Sequence, residues 1–172
     1  TPFLHGLGHQ LITISSSIIS DGKKNFSYDD LENKKIPFKV DLFVHLASFN
    51  AALKKENIDQ EVEITKKVLF SLSSLSCKKL IFFSTSKVYG ANSIDANSFN
   101  ESSDLEPSCN YGIAKKLCEE LIRSQSYLPN LKALILRLPP VLNGSKTSNI
   151  GKLMSLSRKR VLIPTLAQGE IN

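Results

Sequence analysis

A doubly wound α/β fold on a parallel sheet is the class this sequence predicts, and three observations carry the prediction. Strand-sized apolar runs recur along the chain, helix-periodic patterns fall between them, and the runs are apolar at nearly every position rather than at alternate ones. Runs of that last kind belong to parallel strands covered on both faces, where neither side meets water. Regular alternation of such strands with helices completes the doubly wound pattern.

The strand-like stretches, rich in apolar and β-branched residues, are 11–15, 40–47, 80–84 and 133–138. Between the second and third, residues 60–76 place Val62, Val68, Leu69, Leu72 and Leu75 at helical spacing; residues 114–124 do the same with Leu117, Leu121 and Ile122. After Pro140 the sequence becomes polar and turn-rich (Asn143-Gly144-Ser145-Lys146-Thr147-Ser148), then helical again through Leu153 and Leu156, which suggests a boundary into a second lobe. In sheets of this class ligands bind beyond the carboxyl ends of the strands. That directs attention to His45-Leu46-Ala47, Ser84-Thr85-Ser86 and Leu138-Pro139-Pro140.

At 172 residues, 41% hydrophobic and 22% charged, the chain fits one globular domain able to bury a core. Its longest apolar runs, such as Leu80-Ile81-Phe82-Phe83, fall far short of the roughly 20 residues that a membrane-spanning helix needs. The chain opens at Thr1 with no secretory-type leader, so the expectation is a cytoplasmic protein whose start lies upstream. Cys77, Cys109 and Cys118 have neither Cys-x-x-Cys spacing nor neighbouring histidines, and read as reduced structural thiols. The net charge of +6 comes from scattered lysine pairs without interleaved aromatics, which argues against a nucleic-acid surface. Solvated helix faces and a mildly attractive field for an anionic ligand both fit that charge, and composition does not choose between them.

The chemistry-bearing feature is Tyr111-Gly112-Ile113-Ala114-Lys115 at the start of a predicted helix, whose spacing of four puts phenol and ammonium on one face. A tyrosine titrating near 10 is a poor base at neutral pH, but an adjacent cation favours its phenolate. The hydroxyl cluster Ser84-Thr85-Ser86 follows a buried-looking strand upstream, so three groups could converge on one hydroxyl or carbonyl. A chance pairing on a surface helix is the bland alternative. His45, inside an apolar strand, reads as structural rather than as a base, and Arg137 reads as an anchor for its strand end.

Four ordered segments resemble the extended short-chain dehydrogenase/reductase family, the NAD-dependent nucleotide-sugar epimerases and dehydratases. They are Asp41-Leu42-Phe43-Val44-His45-Leu46-Ala47, Phe83-Ser84-Thr85-Ser86-Lys87-Val88-Tyr89-Gly90, Tyr111 to Lys115, and Leu136-Arg137-Leu138-Pro139-Pro140-Val141. Lys87, and the stretch from Asn149 through Leu162-Ile163-Pro164, are most similar to 4-epimerases of UDP-N-acetylhexosamines. The resemblance implies a Rossmann-like domain over residues 1–144 that binds NAD, with NADP left open, and the beginning of a substrate lobe over 145–172. By the same resemblance Thr85 hydrogen-bonds the reacting hydroxyl, Tyr111 exchanges its proton, and Lys115 binds the nicotinamide ribose. Leu46, Ala47, Ser84, Pro139 and Val141 join Tyr111 and Lys115 around the cofactor, while Thr85, Ser86, Lys87 and Asn149 contact the nucleotide sugar. For Lys87 a solvent-facing role, and for Asn149 loop capping, stand as the plain alternatives.

The family's opening Gly-x-x-Gly-x-x-Gly is not found: Phe3 to Leu7 aligns with the end of the first helix, and Gly8-His9 with the turn into the second strand. The expectation is therefore a piece lacking the first strand and its Gly-rich loop, and lacking most of the carboxyl-terminal lobe. Asn-x-x-Gly-Thr of the family appears as Glu61-Val62-Glu63-Ile64-Thr65, which removes both the asparagine and the glycine. Ser86 and Lys87 replace the Asp-Glu of the 4,6-dehydratases, which disfavours dehydration. The reading is epimerisation of a UDP-hexose or UDP-N-acetylhexosamine by transient oxidation, with no metal. A nucleotide-sugar 4-reductase or dehydrogenase is the runner-up, and a non-catalytic remnant of the same fold is the reading from another class. The family's helix-pair homodimer would use residues 60–76 and 114–124.

Overall fold

The structure is a computed structural model that describes residues 6–15, 24–37, 39–49, 53–90, 99–125 and 128–139. Among the described residues the elements run in the order β1 (Ile12–Ile14), β2 (Lys24–Phe26), α1 (Tyr28–Glu32), β3 (Phe43–His45), α2 (Ile58–Ser74), β4 (Lys79–Thr85), α3 (Asn110–Arg123) and β5 (Lys132–Leu138). All described pairings are parallel, and α2 and α3 connect β3 to β4 and β4 to β5 as parallel neighbours require. The strands form two sheets, β1-β2 and β3-β4-β5, and among the described residues no strand pairs β1 with β3.

Each long helix presents one face to the core. In α2, Glu61, Thr65, Val68, Leu69 and Leu72 are buried, and in α3, Gly112, Ala114, Lys115, Cys118, Glu119 and Ile122. These positions recur every three or four residues, the period that places side chains on one stripe. The stripes meet Leu80 and Phe82 of β4, with Leu31 of α1 completing a cluster in which Leu69, Leu72, Phe82 and Cys118 have no exposed surface. Cys77, Cys109 and Cys118 are free thiols, as the sequence suggested.

The period of two along β4 divides its faces. Leu80, Phe82 and Ser84 are buried, whereas Ile81 and Phe83 are half-buried. Register carries the division across the sheet: His45, Phe82 and Ile135 form one row, and Val44, Ile81 and Leu134 form another. Val44 and Leu134 are exposed, so among the described residues the helices cover one face of this sheet and leave an apolar row on the other.

Two short elements were not legible in advance. Lys24–Phe26 has no apolar alternation to announce β2, and the single turn of α1 is held by its cap. Ser27 Oγ accepts from Asp30 N at 3.0 Å while Asp30 Oδ2 accepts from Ser27 N at 2.9 Å, a reciprocal capping box. No helix among the described residues is long and apolar enough to cross a membrane.

Candidate active site at the carboxyl ends of β3 and β4

Strand β4 ends in Ser84-Thr85 and passes directly into a 3₁₀ turn, Ser86–Tyr89. Thr85 caps that turn: its Oγ1 accepts from Lys87 N at 3.3 Å, which leaves the hydroxyl proton available to another acceptor. The first turn of α3, which carries Tyr111, is pressed against this segment. A side chain at Gly112 would place its Cβ 2.7 Å from the Lys87 carbonyl oxygen and 2.9 Å from Pro107 Cβ, so the close approach requires glycine. Gly90 closes the 3₁₀ turn with φ +86°, and a Cβ there would sit 2.1 Å from Glu106 O. The helix carrying Tyr111 and the turn capped by Thr85 are therefore in backbone contact.

One turn further along α3, Lys115 is 1% exposed and its Nζ lies 3.0 Å from Glu61 Oε1 of α2, itself 2% exposed. The ammonium also stands 4.7 Å from the Phe82 ring centroid and 5.9 Å from that of Tyr111. Glu61 Oε2 accepts from Phe49 N at 2.8 Å, so one carboxylate ties together α2, α3 and the segment leaving β3. This partner of Lys115 was not anticipated. The sequence flagged Glu61 only as a departure from asparagine, and spacing along the chain carries no sign that it meets Lys115.

His45 sits beside the pair at 2% exposure, its Nε2 3.1 Å from Thr65 Oγ1, whose hydroxyl donates to the Glu61 carbonyl at 3.2 Å. Burial, reinforced by the positive charge of Lys115 and opposed by Glu61, pushes the imidazole down to about 4. A neutral ring locked in a hydrogen bond is structural, as the sequence suggested. Burial likewise pushes the Cys118 thiol up to about 11, leaving it protonated.

A second buried network lies behind β4. Ser84 Oγ donates to Glu119 Oε1 at 2.5 Å, and the Arg137 guanidinium grips the same carboxylate through Nε (3.2 and 3.1 Å) and Nη2 (2.7 Å). Arg137 Nη1 also donates to Tyr89 Oη at 2.9 Å and to Glu101 O at 3.3 Å. Arg137 therefore anchors the ends of β4 and β5, α3 and the 3₁₀ turn, and the Glu119 carboxylate holds its guanidinium protonated. The Ser84 hydroxyl is committed to this network, so what Ser84 offers a ligand is its backbone. Glu119 was missed by sequence reading, although its place four residues after Lys115 puts it on the same buried stripe.

Of the other sequence-predicted positions, Lys87 is exposed and Ser86 half-buried on the 3₁₀ turn. Leu46, beyond the end of β3, is 63% exposed, Ala47 is half-buried, and Pro139 after β5 is exposed. Val141 and Asn149 lie outside the described residues. Among those residues no group of three or more His, Cys, Asp or Glu side chains is arranged to hold a metal ion.

The chain resembles solved structures of the same fold. It matches a short-chain dehydrogenase/reductase superfamily protein from Agrobacterium tumefaciens with bound NAD at 24% identity and TM-score 0.65, covering 79% of this chain and 43% of that one. A UDP-N-acetylglucosamine 4-epimerase from Methanobrevibacter ruminantium M1, in complex with UDP-N-acetylmuramic acid, matches at 21% and 0.67, covering 94% and 59%. The Bordetella bronchiseptica enzyme WbmG, in complex with NAD and UDP, matches at 19% and 0.73, covering 94% and 56%. The chain thus spans about half the length of these structures. No curated protein matches it. The profile of the NAD dependent epimerase/dehydratase family matches residues 3–162, and on that match, with a Rossmann-like fold to support it, the chain belongs to that family.

Proposed function

We propose that the protein takes part in NAD-dependent epimerisation of a nucleotide sugar, most simply a UDP-hexose or UDP-N-acetylhexosamine, by transient oxidation. The observation that carries this reading is the contact of the Tyr111 turn of α3 with the turn capped by Thr85, which Gly112 allows. Thr85 donates its free hydroxyl proton to the reacting oxygen, and Tyr111 takes up and returns the proton of that hydroxyl. Lys115, buried beneath, supplies an ammonium with N–H donors beyond the one facing Glu61.

The exposed strand ends fit a dinucleotide. Leu46 leaves apolar surface at the end of β3 for a flat ring to cover, and Ala47, Ser84, Pro139 and Val141, with Tyr111 and Lys115, would complete the holding set. Held by these residues, NAD would supply reversible hydride acceptance from the sugar carbon. NAD is the cofactor of this reading because the family is NAD dependent. On the substrate side Thr85, Ser86, Lys87 and Asn149 would contact the nucleotide sugar. The Rossmann-like domain is assigned to 1–144 and the start of the substrate lobe to 145–172.

The test is turnover of UDP-N-acetylglucosamine by the full chain supplied with NAD. Removing the phenol as Tyr111→Phe should lower the rate by about 10²–10⁴-fold, the usual contribution of a positioned acid–base group. Net accumulation of reduced cofactor would favour a 4-reductase or dehydrogenase instead, since an epimerase returns its cofactor unchanged. The buried Glu61–Lys115 pair favours a second reading, a nucleotide-binding module without turnover. Uptake of NAD and UDP-sugar with no epimerisation would establish that reading.

A further inference from the structure

We propose that Glu61 restrains the Tyr111–Lys115 pair, acting as a charge-compensating residue that sets how strongly the ammonium can favour ionisation of the phenol. The inference rests on the functional reading above and concerns the same site.

The ammonium of Lys115 is surrounded by few groups able to offset it. His45 from β3 and Cys118 from α3 are held neutral by burial, and Glu119 spends its charge on Arg137. Among the described residues Glu61, at 3.0 Å and 2% exposure, is the carboxylate that remains. The Tyr111 ring centroid stands 5.9 Å from the same ammonium, almost twice as far. A carboxylate at contact distance, with both side chains buried, cancels most of the field that the cation would project to its other neighbours. Glu61 is also fixed: Phe49 N donates to its second oxygen at 2.8 Å, so it cannot swing away without breaking a partly buried hydrogen bond. It stands, moreover, at the position where the sequence departs from the family's asparagine. A neutral side chain there would leave the ammonium uncompensated and directed at the phenol.

The experiment compares the full chain with Glu61→Gln, Glu61→Asn and Glu61→Asp. NAD stoichiometry and Kd are measured by equilibrium dialysis, and epimerisation of UDP-N-acetylglucosamine is expressed per NAD-bearing site. Either neutral variant should turn over at least tenfold faster per site at neutral pH, whereas Glu61→Asp, which keeps the charge, should stay within about threefold of the parent. In a Tyr111→Phe background the same neutral substitution should give no gain over Tyr111→Phe alone, whereas a merely structural role for Glu61 would change the rate equally in both backgrounds. A neutral variant that binds one NAD per chain yet turns over no faster overturns the proposal. So does loss of NAD uptake in both neutral variants but not in Glu61→Asp, because the carboxylate would then be a requirement of the fold. Failure of parent and all variants alike to take up NAD would instead defeat the enzymatic reading itself, and this inference with it.

Discussion

Removing the Arg137 side chain strands a buried carboxylate. Glu119 is 1% exposed, and Arg137, at 10%, supplies its close ionic contacts; Arg123, the other cation nearby, reaches only to 3.9 Å from a side chain that is 60% exposed. Breaking a buried pair by deleting one partner costs about 3–5 kcal/mol, because an uncompensated charge remains in a medium that solvates it poorly. Ser84 Oγ still donates to Glu119 in the variant, which places Arg137→Ala near the lower end, about 3 kcal/mol. For a chain of this length each kcal/mol lowers Tm by about 2–4 °C, so a fall of about 6–12 °C is expected. Urea unfolding, followed by circular dichroism alongside a thermal scan, measures both quantities. Arg137→Lys restores the charge without the fork and should recover part of the loss. Glu119→Gln combined with Arg137→Met removes both charges and should be markedly more stable than Arg137→Ala alone. A loss below about 1 kcal/mol in Arg137→Ala, or a double variant no better than the single one, would refute the stranded-charge argument.

Three other perturbations follow from the same geometry. His45 titrates at about 4 when folded against 6.5 unfolded, so between these values the unfolded chain binds a proton that the folded chain refuses. The stability this contributes is complete above about 6.5 and is lost as pH falls toward 4, by about 3 kcal/mol in total; urea unfolding across that window should show the slope, and His45→Gln should flatten it. Gly112→Ala pushes α3 off the Lys87 carbonyl, and should cost about 1–3 kcal/mol by overpacking together with a tenfold or greater loss of turnover, measured on the folded fraction. If the helix pair α2–α3 forms the dimer of this reading, Phe70→Glu, at a site 64% exposed on α2, should shift the sedimentation of the full chain toward monomer.

Local pattern revealed those parts of the fold in which it was strong. The stripes of α2 and α3 and the apolar run of β4 repeat often enough to identify themselves, and the structure moves their ends by only a few residues. Element β2 is three residues of mixed polarity whose place is decided by pairing with β1, and no local signal encodes that. At the candidate site, Tyr111 and Lys115 could be grouped from their spacing of four, and Thr85 from its place at a strand end. Glu61 and Glu119 could not: each is a charged helix residue, normally solvent-facing, whose burial depends on a cation fifty-four residues away in one case and eighteen in the other. Ser84 was grouped with Thr85 as ligand-facing, yet adjacent residues of a strand point to opposite faces, and its hydroxyl serves the Glu119 network.

The Val44–Ile81–Leu134 row has a bearing on how the chain must be handled. Aliphatic surface presented to water gains from any cover, and the gain grows with excluded cosolvents such as sulfate and shrinks on cooling. Purification by sulfate precipitation would press these faces together, whereas cold, low-salt buffers would keep them apart. The behaviour of the preparation on a sizing column would then report what is shielding that row.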